Sequence, residues 1–174
     1  MIEVRAGSLA EMDVEALLRP VASDLSPVTP AMRRFDELAG AAAAESWRRA
    51  GELPVGSAVI TPAGQLPARY VVHVAIRSLD ENATAAIVRR GLLNGLRRLE
   101  EWEIASVAMA PLGTGAGNLD AEEAAGAMLP VLVEHLGAAA HPSRIVIVVE
   151  DPYQEAAFAA AVARYEGSSG QAGA

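Results

Sequence analysis

The sequence predicts an α/β domain in which helices pack on one six-stranded sheet, and three observations support this. Short runs rich in Val and Ile alternate with longer segments rich in Ala, Leu and Arg, the order expected when helices cover a sheet. The runs at 70–76, 104–110 and 145–149 are apolar almost throughout, as strands buried on both faces must be. With 174 residues, 52% of them hydrophobic, the chain can fill one core of ordinary size but not two.

Strands are expected at 2–5 and 14–18. A helix begins at Thr29-Pro30, where a capping hydroxyl precedes a proline at the first helical position. Strands 56–61 and 70–76 flank Thr61-Pro62-Ala63-Gly64 and Leu66-Pro67, a turn cluster that makes them antiparallel neighbours. Asn82 opens the next helix, in which Val88, Leu92, Leu96 and Leu99 form one apolar stripe. Arg89, Arg90, Arg97 and Arg98 fall mostly outside that stripe and read as a solvated face, balanced by Glu100, Glu101 and Glu103. After the strand at 104–110, Asp120 and Glu123 have the spacing of a capping box. That helix runs through Met128 towards His135, with a kink or break expected just before Pro130. Strand 145–149 and a helix over 153–164 complete a single domain at 1–166. The Gly-, Ser- and Ala-rich residues 167–174 have nothing to bury and are expected to form a flexible tail.

Charge and residue types narrow the function. Fourteen basic against 22 acidic residues give a net charge of -8, so neither nucleic acid nor an anionic membrane is an expected partner. All the basic residues are Arg and there is no Cys. This excludes a Schiff-base lysine, a Gly-Lys-Ser/Thr phosphate loop, disulfides and thiolate chemistry. Residues 1–10 carry Glu3 and Arg5 rather than a signal-peptide core, and no apolar window approaches the roughly 20 residues that span a bilayer. A soluble, cytoplasmic protein is expected. His73, His135 and His141 lack metal-site spacing, and His73 reads as a hydrogen-bonded core residue. Asp13 with Glu15 and Glu122 with Glu123 read as solvated neighbours, and Ser23, Ser26 and Ser57 lack a nucleophile-elbow context. No catalytic constellation, metal site or cofactor is expected.

The most informative segment is Pro111-Leu112-Gly113-Thr114-Gly115-Ala116-Gly117-Asn118, between a buried strand and a capped helix. Loop and helix amides there can present partial positive charge to phosphate oxygens. The same glycines also suit a tight turn that only needs positive φ. A dinucleotide-binding βαβ unit ranks low, because the loop comes late in the chain and Glu134 falls within a helix.

The order of elements, together with particular segments, resembles the macro domain family. Residues 55–73, from Val55-Gly56-Ser57-Ala58 to Tyr70-Val71-Val72-His73, are similar to the family's Gly-x-Ala-x-x-Thr, Leu-Pro and Tyr-Val-Ile-His pattern, and Ala108 to Gly117 is similar to its second ligand loop. The resemblance spans about residues 1–165. It implies a three-layer α/β/α sandwich around a mixed six-stranded sheet, and binding of ADP-ribose or a related nucleotide phosphate. The phosphate and ribose would lie on Leu112, Gly113, Thr114, Gly115, Ala116, Gly117 and Asn118, and the base between Ser8, Leu9 and Tyr153.

The departures are as informative. Gly7-Ser8-Leu9-Ala10 lacks the family's base-binding carboxylate, and Arg19-Pro20-Val21-Ala22 replaces Asn-Ala-Ala-Asn, leaving Ala22 for the ribose-binding Asn. Val28, Thr29 and Pro30 replace the glycines of the first loop, and Glu150 stands where an aromatic often stacks on the base. A binding module without hydrolase activity is therefore expected. A second reading is a structural or assembly protein, a homo-oligomer or the companion of another protein, whose pocket Val28, Pro30 or Arg33 would fill. A third, ranked lowest, is an ADP-ribosyl hydrolase rebuilt on Asp24 or Asp36, residues more simply read as loop-solvating and helix-surface groups.

Overall fold

The computed structural model describes residues 1–115 and 118–169. Its strands are β1 (Ile2–Ala6), β2 (Ala16–Ala22), β3 (Ala58–Pro62), β4 (Tyr70–Arg77), β5 (Ser106–Met109) and β6 (Arg144–Val149). Its helices are α1 (Pro30–Ala39), α2 (Ala41–Arg49), α3 (Ala85–Glu101), α4 (Ala121–Ala138) and α5 (Pro152–Ser169), with a 3-10 turn at Leu9–Glu11. The strands form one sheet in the order β1-β6-β5-β2-β4-β3. Every neighbouring pair is parallel except β3 with β4, the antiparallel pair that the turn cluster at 61–67 predicts.

Alternate residues along each strand serve different layers. Leu17, Val71, Ala108, Val146 and Val148 meet Leu9, Met32, Phe35 and Trp47 of the 3-10 turn, α1 and α2. Leu18, Val72, Val74, Met109 and Ile147 meet Val88, Leu92, Leu96, Met128 and Phe158 of α3, α4 and α5. The result is the three-layer α/β/α sandwich with a mixed sheet.

Local chemistry sets the helix ends. Thr29 Oγ1 accepts a hydrogen bond from Met32 N, and Pro30 is the first helical residue. Asp120 and Glu123 form the full reciprocal capping box. The cap of α3 is Thr84, not Asn82: its Oγ1 accepts from Ile87 N at 3.2 Å. Nor does Pro130 end α4, which is continuous from Ala121 to Ala138. Pro130 and Gly126, whose carbonyl it deprives of a partner, both lie on the exposed side of the helix, where solvent can satisfy that carbonyl. Helix α5 runs to Ser169 rather than 164 because Tyr165 packs against the core. Residues 167–169 of the expected tail are thus helical, and 170–174 lie outside the described residues.

The largest departure is in β2. The strand expected at 14–18 continues through Arg19-Pro20-Val21-Ala22, and Arg19 is fully buried. Pro20 is tolerated because β2 pairs with β5 only over Ala16–Leu18. The next position facing that side, Pro20, has no ladder bond to lose. Arg19 lies in register with His73 on β4. Its Nε donates to His73 Nδ1 at 3.0 Å, and its Nη1 donates to Asp36 Oδ1 on α1. The guanidinium carbon stands 5.1 Å from the ring centre of Phe35 and 4.8 Å from that of Trp47, within cation–π range. Because Arg19 can only donate, His73 Nδ1 must accept. The neutral ring then carries its proton on Nε2, 2.8 Å from Thr61 Oγ1. Burial, and secondarily the Arg19 charge, hold the His73 pKa well below 6.5, consistent with that neutral form. His73 is thus the hydrogen-bonded core residue expected, whereas Asp36 is an inward-facing partner and not a helix-surface group.

Removing one member of a buried ion pair strands the other. Asp36→Ala should therefore cost about 3–5 kcal/mol, and Arg19→Met combined with Asp36→Leu should recover most of it, both measured by urea unfolding. An unfolded chain protonates His73 near pH 6.5 while the folded one does not. Stability should accordingly fall as pH drops below that value, by up to about 1.4 kcal/mol per pH unit. Urea midpoints at pH 7.0 and 5.5 test this; an unchanged or rising midpoint contradicts it.

Candidate functional site

The parallel strands β1, β6, β5 and β2 all end on the same side of the sheet, and open α/β sheets offer ligands a crevice beyond such ends. A cavity of about 400 Å³ lies there. Its walls are Gly7–Ala10 after β1, Pro20 on β2, Ala110, Pro111 and Thr114 after β5, and Val148 and Glu150 at the end of β6. Helix α1 forms one side with Thr29, Ala31, Met32, Arg34, Phe35 and Leu38, and Gln154 of α5 completes the lining.

The expected site residues distribute unevenly over this cavity. Ser8, Leu9, Thr29 and Thr114 line it. Leu112 is fully buried beneath, its amide directed at Met128 Sδ. Gly113 is also buried, with φ +85, and an added Cβ would come within 2.8 Å of Val88 Cγ2 and 3.1 Å of Leu119 Cδ1. These two residues seat the loop on the core rather than face a ligand. Gly115, with φ +127, points towards α1, its added Cβ 3.4 Å from Thr29 Cγ2, so the loop after β5 approaches the start of α1 there. Asn118 N donates to Gly115 O, and Leu119 N to Gly113 O at 3.0 Å, closing the turn. Ala116 and Gly117 lie outside the described residues.

Tyr153, expected beside the base, is not at the cavity. It is the second residue of α5, 59% exposed, and faces an outer groove with Glu122 and Gly126. Gln154, one residue on, turns inward in its place.

The first loop keeps its shape without glycine. Ala22 N donates to Ser26 O, and Leu25 N to Ala22 O. Asp24 Oδ1 accepts from Ser26 N and Oγ, and the Ser26 bonds pull the Asp24 pKa down. Leu25 adopts φ +63 with its side chain buried in the α1–α2 core. Val28 packs against both cores. Val28, Pro30 and Arg33 are absent from the cavity lining, so the cavity is open and not filled by them. In the first turn of α1, Pro30 has no amide and Met32 N is taken by Thr29, leaving Ala31 N unspent among the described residues.

Two ionisable side chains line the cavity among the described residues, Arg34 and Glu150. Burial, reinforced by Asp151, pushes the Glu150 carboxyl pKa up. Sequence reasoning did not find the α1 wall. The signal was present as Ala31, Arg34, Phe35 and Leu38 at helical three- and four-residue spacing, but whether that face covers a cavity or core depends on where the first loop sets the helix. Among the described residues no group of three or more His, Asp or Glu is placed to hold a metal, and no helix is long and apolar enough to cross a membrane.

A family profile described as Macro domain matches residues 31–128, more than half of the chain. An uncharacterized protein of Mycobacterium tuberculosis is 26% identical over 161 residues; the match covers 92% of this chain but only 44% of that protein. The chain thus spans less than half the length of that relative. A DNA ADP-ribosyl glycohydrolase of Mycobacterium bovis is 30% identical over 129 residues, covering 71% of this chain and 36% of the enzyme. Among solved structures, a mutant Oceanobacillus iheyensis macrodomain with ADPR superposes with a TM-score of 0.85 at 16% identity, covering 95% of this chain and 94% of that one.

The loop glycine Gly113 and the helical Gly126 should separate in mutagenesis. Gly113→Ala combines positive φ with overlap on Val88 and Leu119, and should lower stability by about 1–3 kcal/mol. Gly126→Ala, with nothing within 4 Å of the new methyl, should raise it by about 0.5–1 kcal/mol. Thermal unfolding reads both, and equal effects would mean that the loop is not seated as described.

Proposed function

Because the chain belongs to the macro domain family, we propose that its cavity binds ADP-ribose or a related nucleotide phosphate, without hydrolysing it. The observation that carries this reading is the open cavity of about 400 Å³ at the strand ends, a volume that suits a ligand of that size. The side chains that would have marked a closed, purely structural pocket do not enter it. Phosphates fit best between the two loops, where the Thr29 and Thr114 hydroxyls and the Ala31 amide can donate and the rim residue Arg34 adds positive charge. The solved macrodomain with ADPR that superposes on this chain supports the choice of ligand class.

A hydrolase is the second reading, favoured by the name of the mycobacterial glycohydrolase. The first loop argues against it. Ala22 offers a methyl group where the family resemblance implies a positioning amide, Asp24 is bonded to Ser26, and Asp36 is bonded to Arg19. Catalysis that depends on positioning loses several kcal/mol when its positioning groups are removed.

Isothermal titration calorimetry against ADP-ribose, with AMP, NAD and ATP as comparisons, tests the proposal. Micromolar ADP-ribose binding is expected. It should be lost in Gly115→Glu, which forces a large side chain at φ +127 towards Thr29. No heat with a folded protein would contradict binding, and turnover of ADP-ribosylated protein would contradict the absence of hydrolysis.

A further inference from the structure

The sheet has two outer edges, and they are built differently. On β1, Glu3 and Arg5 form an ion pair, and Arg144 of β6 also reaches Glu3; charges of this kind keep a free edge from pairing. Strand β3, Ala58-Val59-Ile60-Thr61-Pro62, carries no charge, and no strand among the described residues lies beyond it.

The ladder to β4 fixes which backbone groups β3 leaves over. Ala75 N donates to Ser57 O at 3.0 Å and Ala63 N to Arg69 O at 3.1 Å, on either side of the register that runs from Ala58↔Val74 to Pro62↔Tyr70. Bonded and unbonded pairs alternate along an antiparallel ladder. Residues 57, 59, 61 and 63 therefore turn their backbone groups to β4, and Ala58, Ile60 and Pro62 turn theirs outward. Pro62 fits this phase: it has no N–H to give the ladder, and its carbonyl accepts from Trp47 Nε1 at 3.3 Å. The open set is thus the N–H and C=O of Ala58 and of Ile60.

That set complements itself. We propose that β3 pairs antiparallel with β3 of a second copy of this chain, about a two-fold axis through Val59, so that one sheet runs across the dimer. Ala58 then faces Ile60 of the partner subunit, and the two exchange both hydrogen bonds. On the α3 side of the sheet the small Ala58 meets the larger Ile60, and on the α1–α2 side Val59 meets its own copy. The neighbouring registers fail. Sliding one way sets Ile60 against Gly56, whose N–H is spent on Ala75 O at 2.7 Å. Sliding the other way sets Ala58 against Pro62, which has no N–H and whose carbonyl is held by Trp47. None of residues 57–62 lines the strand-end cavity, so this pairing stands apart from the ligand reading.

The chain has no cysteine, so a single introduced thiol reports the register. Opposed residues that share no hydrogen bonds have Cα atoms about 4.5 Å apart, within disulfide range, and Val59→Cys should give a disulfide-linked dimer on mild oxidation. Ile60→Cys places its two thiols on a diagonal about 7–8 Å apart, and should cross-link about tenfold more slowly. In sedimentation equilibrium the wild-type protein should move from the monomer mass towards twice that mass as concentration rises. Ile60→Pro, which removes an outward N–H and no bond to β4, should stay monomeric over the same series. Far-UV circular dichroism checks that the variants fold. A wild-type monomer throughout the series, an undiminished dimer in folded Ile60→Pro, or equal cross-linking of the two cysteine variants overturns the proposal.

Discussion

Arg19 places a full positive charge on the central strand of the sheet, on the face that α1 and α2 cover, and the position of α1 follows from how that charge is met. The guanidinium reaches sideways to His73 on β4 and up to Asp36 on α1, with Phe35 and Trp47 closing over it. A helix that rotated by one residue, or slid by one turn, would withdraw Asp36 and leave the charge unpaired in the core. A buried ion pair of this kind contributes little net stability compared with apolar residues of the same size, but stranding either partner alone in the core is costly, and that cost falls on any arrangement that parts them. Since α1 supplies one whole wall of the cavity, from Thr29 to Leu38, this interaction also fixes the shape of the site.

The same constraint explains how the first loop works without glycine. Its two ends are set by β2 and by α1, and between them Leu25 takes left-handed backbone with its side chain locked in the core. Asp24 and Ser26 bond within the loop. A loop built this way gives up amides that glycines would offer a ligand, but it leaves the space in front of it empty. The second loop is anchored differently, by Leu112 and Gly113 pressed into the α3–α4 core, and this leaves Thr114 and Gly115 facing α1. The site is therefore a gap between two independently seated loops.

Much of this was legible in the residues. Alternating Val- and Ile-rich runs located all six strands, Thr29-Pro30 and Asp120 with Glu123 gave helix starts, and the segment around 55–73 pointed to the family. What sequence could not convey depends on long-range partners. Arg19-Pro20 reads as the end of a strand until His73, 54 residues away, and Asp36 on another element are seen to receive the charge. Pro130 reads as a break until Gly126 is placed on the solvent side. Tyr153 and Gln154 are adjacent, and only the start of α5 decides which of them faces the cavity. Glu150 was read as a lost aromatic; that it lines the cavity beyond β6 needs the third dimension.

The central claim is that a preformed gap between Thr29 and Thr114 receives the phosphates of a nucleotide ligand. A crystal structure of the protein with ADP-ribose measures this directly. The account predicts diphosphate density between those two hydroxyls, and α1 still held to Arg19 through Asp36. Ligand density elsewhere on the molecule, or in the gap only after α1 has moved off Arg19, would contradict it.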